Sequence, residues 1–181
     1  MFRAIPVMKD SLHNIALIGF MGAGKTSVGR ALARLAGMNF IDADIEIEKN
    51  AKMPVPRIFK LHGEGHFRCL EYDFYCKISS LRNTVIATGG GAVLRGDTRA
   101  VLRENALVVY LAASPETIFA RIGDDNGRPL LNGNDKMAKI SALLAERDAL
   151  YRQTCHVTID TEGLTIEACA QKILSLTKKL G

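Results

Sequence analysis

Apolar positions along the chain follow two alternating periods. Short apolar runs recur at residues 15–18 (Ile-Ala-Leu-Ile), 85–87 (Val-Ile-Ala) and 107–111 (Leu-Val-Val-Tyr-Leu), with shorter ones in Asn39-Phe40-Ile41 and Val157-Thr158-Ile159. Runs of this length, bounded by turn residues, predict strands buried on both faces of a sheet. Between them the period changes. Val28, Ala31, Leu32 and Leu35 recur at i, i+3, i+4 and i+7, one face of a helix, and Gly37 is placed to stop it. Further helices are predicted over residues 64–81, from Ser114 with Pro115 at the first helical position, over 137–151 and over 165–180. Strands separated by helices predict a parallel α/β sheet with right-handed crossovers. Residues 123–135 are rich in Gly, Asn, Asp and Pro and lack this periodicity. They predict a mobile loop inside one alternation, not a linker between domains. Residues 1–13 stand outside the pattern as an N-terminal extension, which leaves 14–181 as a single domain.

Composition supports that reading. At 181 residues, 48% hydrophobic and 24% charged, the chain can build one core without disulfide or metal staples. The net charge is +5, yet no basic run exceeds Lys178-Lys179, which argues against a nucleic-acid partner. The four cysteines form no C-x-x-C pair and fit a reducing, cytoplasmic compartment. Cys69 and Cys76 are seven apart, on one helix face, and are expected to be buried. No apolar run is long enough to span a membrane, and residues 1–10 carry no apolar stretch of secretory type.

Gly19-Phe20-Met21-Gly22-Ala23-Gly24-Lys25-Thr26 fits G-x-x-x-x-G-K-S/T without a mismatch, after a strand and at the opening of a helix. Glycines let the backbone curl so that several N–H groups converge on phosphate oxygens, and the helix N-terminus adds roughly half a positive charge. In such loops the lysine reaches the β and γ phosphates and the hydroxyl residue binds magnesium. No N-K-x-D motif points to guanine. Asp124-Asp125-Asn126-Gly127 matches D-x-x-G only inside the loop segment, and the third strand carries no acidic residue to hold the metal.

Several other residues carry chemistry. Asp42 and Asp44 follow the second strand, at the sheet edge where open parallel sheets bind ligands. They fit magnesium and a substrate hydroxyl, and equally fit helix capping. Gly89-Gly90-Gly91 ends the third strand and fits either close approach of a ligand or a plain turn. Arg68, Arg128 and Arg147 are candidate anion or transition-state contacts, Arg128 because it lies in the glycine-rich loop. His62 and His66 are four apart, but Gly63 and Gly65 argue against a zinc-binding helix.

Taken in order, the strand and G-F-M-G-A-G-K-T, D-A-D, I-F-x-x-x-G-E-x-x-F-R-x-x-E (residues 58–71), A-T-G-G-G (87–91), R-P-L-L (128–131) and E-R-x-x-L-Y (146–151) resemble the shikimate kinase family over residues 14–173. The resemblance implies a P-loop three-layer fold, with a five-stranded parallel sheet like that of nucleoside monophosphate kinases and a lid at about 122–135. It implies transfer of phosphate from ATP to the shikimate 3-hydroxyl. Gly22, Ala23, Gly24, Lys25, Thr26 and Ser27 would hold the ATP phosphates, with Mg2+ on Thr26 and, through water, Asp42. Asp44 would accept the hydroxyl proton. Arg68 and Arg147 would grip the shikimate carboxylate, the Gly90 backbone would bind a ring hydroxyl, and Arg128 would close over ATP from the lid. Arg121 and Leu164 would lie by the adenine. The family is commonly monomeric and cytoplasmic. Lys25-Thr26-Ser27 departs from the frequent Lys-Ser-Thr, and either hydroxyl can serve the metal. The rivals are another small-molecule kinase, such as one for gluconate, and a nucleotide-binding module without catalysis. A gluconate kinase would be expected to carry D-D-R-x-P-W-L, and this chain has no Trp.

Overall fold

The computed structural model describes residues 14–123 and 135–180. Five strands, β1 (Asn14–Ile18), β2 (Asn39–Asp42), β3 (Thr84–Ala87), β4 (Leu107–Ala112) and β5 (Val157–Asp160), pair in parallel in the order β2-β3-β1-β4-β5. Side chains alternate across a strand, so each buried strand feeds two cores. Ala16 and Ile18 of β1 join Ile86, Val108 and Tyr110 on one face, while Ile15 and Leu17 join Val85, Leu107 and Val109 on the other. The second face is covered by α1 (Lys25–Ala36) and α7 (Ile166–Leu180), which supply Val28, Leu32, Ala170 and Ile173. The first is covered by α4 (Gly96–Asn105), α5 (Pro115–Ile122) and α6 (Lys136–Thr154), through Leu102, Ile118, Ile122, Ile140 and Tyr151. A third, small cluster of Ile47, Ile58 and Phe67 joins α2 (Ala43–Ala51) to α3 (Val55–Cys76).

The predicted strands and sheet class stand, with each strand a residue or so longer. Gly37 ends α1 in the left-handed conformation, φ 66°, and the Ser114 hydroxyl caps α5 by accepting from the Thr117 N–H. Several expectations need correction. The helix expected over 64–81 begins at Val55, bends at Gly63 (φ 79°, ψ 170°) and ends at Cys76, with a 3-10 turn over Lys77–Ser80. Helices α2 and α4 were not expected. Cys69 and Cys76 share a helix face as expected, but both are exposed. The inward stripe of α3 is Phe67, Arg68, Glu71 and Tyr75, which leaves both thiols on the outer side. Leu35 is 44% exposed, because the buried stripe of α1 runs instead through Gly29 and Ala33. The N-terminal extension, residues 124–134 of the expected lid, and Arg128 with them, lie outside the described residues. No helix among the described residues is long and apolar enough to cross a membrane.

Candidate active site

The carboxyl ends of β1, β2 and β3 open onto one cleft of about 780 Å³. Its wall brings together Gly22, Ala23, Gly24, Lys25, Thr26, Ser27, Asp42, Asp44, Gly90, Arg121 and Leu164, residues drawn from five separate stretches of sequence. Gly24 precedes α1 with φ 94°, a conformation that a residue bearing Cβ adopts only with strain. It turns the first amides of α1 toward the cleft. Lys25 is buried, and its Nζ donates to the carbonyls of Gly19 and Phe20 at 2.9 Å each. The ammonium is thus held against the loop that it would leave to meet a phosphate.

Asp42 is a helix cap and also touches the phosphate loop. Its Oδ1 accepts the Asp44 and Ile45 amides and starts α2, while its Oδ2 accepts from Thr26 Oγ1 at 2.7 Å. Asp44 does not cap. Its Oδ1 is buried without a hydrogen-bond partner. Burial raises the Asp44 pKa above the usual carboxylate range, the Lys25 charge opposes that rise, and Asp42 adds to it.

The glycine run is a place of close approach. A Cβ on Gly89 would lie 2.7 Å from Glu71 Oε1 and 2.8 Å from Asp44 Oδ1, and one on Gly91 would lie 2.1 Å from Arg68 Nη2. A Cβ on Gly90 would lie 3.1 Å from the Met21 amide nitrogen. Side chains of α2 and α3 therefore rest directly on this backbone. Arg68 is gripped by Glu71 at 2.7 Å and by Glu64 at 2.8 Å. Glu71 is buried, its Oε1 is unpartnered, and burial raises its pKa against the pull of Arg68.

Arg147, on α6, lies 5.8 Å above the Phe20 ring and is 4% exposed, with Nε and Nη1 unpartnered. Unpaired guanidinium nitrogens are costly inside a protein, and an anion is the partner they suit. Arg121 Nη1 donates to Thr161 Oγ1 at 3.0 Å and its Nη2 to the Thr161 carbonyl at 3.2 Å, tying α5 to the turn after β5. Sequence reasoning assigned nothing to Thr161, and left Glu71 and Tyr151 inside quoted motifs without a role. The partners of Thr161 and Tyr151 lie far off in sequence, so no local pattern reveals them. Glu71, by contrast, stands three residues from Arg68 on one helix face, a spacing that offered the pair.

The shikimate kinase family model matches residues 21–178. A shikimate kinase of Nitrosococcus oceani is 44% identical over 161 residues, covering 89% of this chain and 85% of that one. Another, from Burkholderia thailandensis, is 41% identical over 96% of this chain and 94% of its own. Among solved structures, a shikimate kinase from Acinetobacter baumannii in complex with shikimate superposes with a TM-score of 0.90 at 42% identity, covering 94% of this chain and 95% of that one. One from Bacteroides thetaiotaomicron gives 0.84 at 32%, covering 91% and 98%. The fold alone extends further, to a deoxyadenosine kinase of M. mycoides at 17% identity and TM-score 0.60, over 93% of this chain and 100% of that one. A phosphate loop, an acidic pair and a glycine run that meet in one cleft thus occur in a chain alike over nearly its whole length to these enzymes, and the chain belongs to the shikimate kinase family.

Proposed function

We propose that the chain performs its family's reaction, phosphoryl transfer from ATP to shikimate, at the 3-hydroxyl and through the residues gathered in this cleft. The observation that carries the residue-level reading is a group of buried polar atoms without partners, Asp44 Oδ1 and Glu71 Oε1 against Gly89, and Arg147 Nε and Nη1 beside Phe20 of the phosphate loop. A polyhydroxylated carboxylate supplies what they lack, a hydroxyl donor for Asp44 and an anion for Arg147 and Arg68. The solved complex of the Acinetobacter baumannii relative with shikimate supports the choice of acceptor.

The loop amides at Gly22–Ser27 cradle the ATP phosphates, Lys25 exchanges its two carbonyl contacts for phosphate oxygens, and Arg121 and Leu164 border the base. Thr26 Oγ1 and Asp42 Oδ2, 2.7 Å apart, are hard oxygen donors of the kind magnesium takes, few in number and open to water and phosphate. They would hold Mg2+, Asp42 through water, and the bound ion would neutralise charge on the phosphates. Asp44 receives the hydroxyl hydrogen bond and aims the oxygen at the γ phosphorus. In a loose transition state the proton leaves late, so orientation matters more than basicity. The raised pKa of Asp44 still brings it nearer its task than an exposed aspartate, whose pKa is about 3.9. Arg68 and Arg147 take the carboxylate, the Gly90 backbone takes a ring hydroxyl, and Arg128 closes over the γ phosphate.

The same reading takes 14–181 as one kinase domain with 1–13 as an extension, acting as a cytoplasmic monomer. The four cysteines, all free thiols, fit that compartment. The test is ADP release with ATP and magnesium, comparing shikimate, gluconate and no acceptor at matched concentrations. Release with shikimate alone is expected. Release with gluconate alone, or with neither despite ATP binding, overturns the acceptor assignment.

A further inference from the structure

Tyr151 is fully buried, and nothing in the chemistry above uses its phenol. The hydroxyl donates to the Gly90 carbonyl at 2.5 Å. Tyr151 stands one turn beyond Arg147 on α6, on the same helix face. Burial raises the phenol pKa, and the Arg147 charge opposes that rise. The hydroxyl therefore ties the loop after β3 to the face of α6 that carries Arg147. Gly90 has glycine on both sides, so its peptide has little stiffness of its own. Its carbonyl is held instead by a ring that is itself fixed. Tyr110 stacks on that ring at 4.9 Å and 21°, its own hydroxyl donates to Asp148 at 2.9 Å, and Asp148 accepts from Arg152 at 2.6 Å.

We propose that Tyr151 is a positioning residue for the acceptor, whose hydroxyl holds the Gly90 peptide in register with the face of α6 that carries the Arg147 guanidinium. The cleft then selects acceptors that carry a carboxylate and a ring hydroxyl at one fixed separation. The inference rests on the assignment of Arg147 to the acceptor carboxylate.

Tyr151→Phe keeps the ring, its stack and its packing, and deletes the hydroxyl alone. The KM for shikimate should rise about tenfold, the factor for one lost hydrogen bond between positioned groups, with the KM for ATP and the Tm near wild type. Groups that act through one another are non-additive. In an Arg147→Ala background the same change should therefore raise the shikimate KM by a clearly smaller factor. An unchanged shikimate KM, an equal rise in both KM values, or the same factor in both backgrounds overturns the proposal. Arg147→Ala alone separates the two levels: an unchanged shikimate KM in that variant refutes the carboxylate assignment itself.

Discussion

Gly91→Ala changes one hydrogen to a methyl group, and its cost follows from geometry. The glycine does not occupy the left-handed region, so alanine brings no backbone strain there. The new Cβ would lie 2.1 Å from Arg68 Nη2, 2.5 Å from Cζ and 2.7 Å from Nη1, which is inside the whole guanidinium. Arg68 must leave. Its departure breaks the 2.7 Å ion pair with Glu71, in which the two side chains are 9% and 2% exposed. Breaking a buried pair costs ~3–5 kcal/mol, because a charge stays behind without its partner. The low end applies here, since Glu64 is half exposed and can follow Arg68 outward. At about 3 kcal/mol and ~2–4 °C per kcal/mol for a chain of this size, Tm should fall by roughly 6–12 °C. Thermal melts followed by circular dichroism measure this, and steady-state kinetics should show the shikimate KM rising at least ~10-fold, as for loss of a charged contact, with ATP binding preserved. Gly65 is the control. It lies in α3 with nothing within 4 Å of its would-be Cβ, so Gly65→Ala should stabilise the fold by ~0.5–1 kcal/mol. A Gly91→Ala enzyme with wild-type Tm and shikimate KM would refute the claim that Arg68 is seated on this backbone.

Asp44→Asn keeps the shape and loses the acceptor charge. ATP binding by calorimetry should persist while turnover falls by ~10²-fold or more, and an undiminished rate removes Asp44 from the mechanism. Arg68→Ala and Arg147→Ala should each raise the shikimate KM and leave nucleotide affinity intact, and unchanged values in both would break the carboxylate assignment. A pH prediction concerns the surface. A hydrogen bond from Arg95 holds Asp97 down at about 2, against an ordinary 3.8. A depressed folded pKa contributes stability above the unfolded value and loses it as pH falls through the folded one, here between about 3.8 and about 2. An NMR titration should find the Asp97 midpoint back near 3.8 in Arg95→Ala, and no movement would show that the pair has no electrostatic effect.

The nucleotide half was legible in the sequence because its residues are contiguous. A buried strand, a glycine-rich turn and a lysine at a helix start are set by local geometry, and spacing alone finds them. The helices that were missed have physical reasons. The apolar residues of α2, Ile45 and Ile47, alternate as in a strand, and Ile45 is 40% exposed. What makes the segment helical is the Asp42 cap rather than an apolar stripe. In α4 the buried residues are Thr98 and Leu102, too few to set a period. The start of α3 was hidden by Gly63, whose left-handed turn separates the Val55 half from the half with the readable pattern. At the acceptor end, Asp42, Asp44 and the glycine run were visible, but their choice between structure and chemistry was not. That choice depends on which side chains touch which backbone, and those partners come together only when α2, α3 and α6 pack.

The division has a counterpart in how the site is built. Lys25 and Thr26 stand on α1, which shares a large core with α7 and one whole face of the sheet. Asp44 and Arg68 stand on α2 and α3, whose joint cluster has three fully buried members, Ile47, Ile58 and Phe67. Ala43 of α2 and Tyr75 of α3 also enter the large core under β1, β3 and β4, so this small cluster is tied to the main one. Asp44 is where the two sides meet, since it feels the charge of Lys25 from one and of Arg68 from the other. On the proposed reading, the acceptor hydroxyl supplies the partner that Asp44 Oδ1 lacks between those cations. That reading has the acceptor complete the cleft at the point where the phosphoryl group must be delivered.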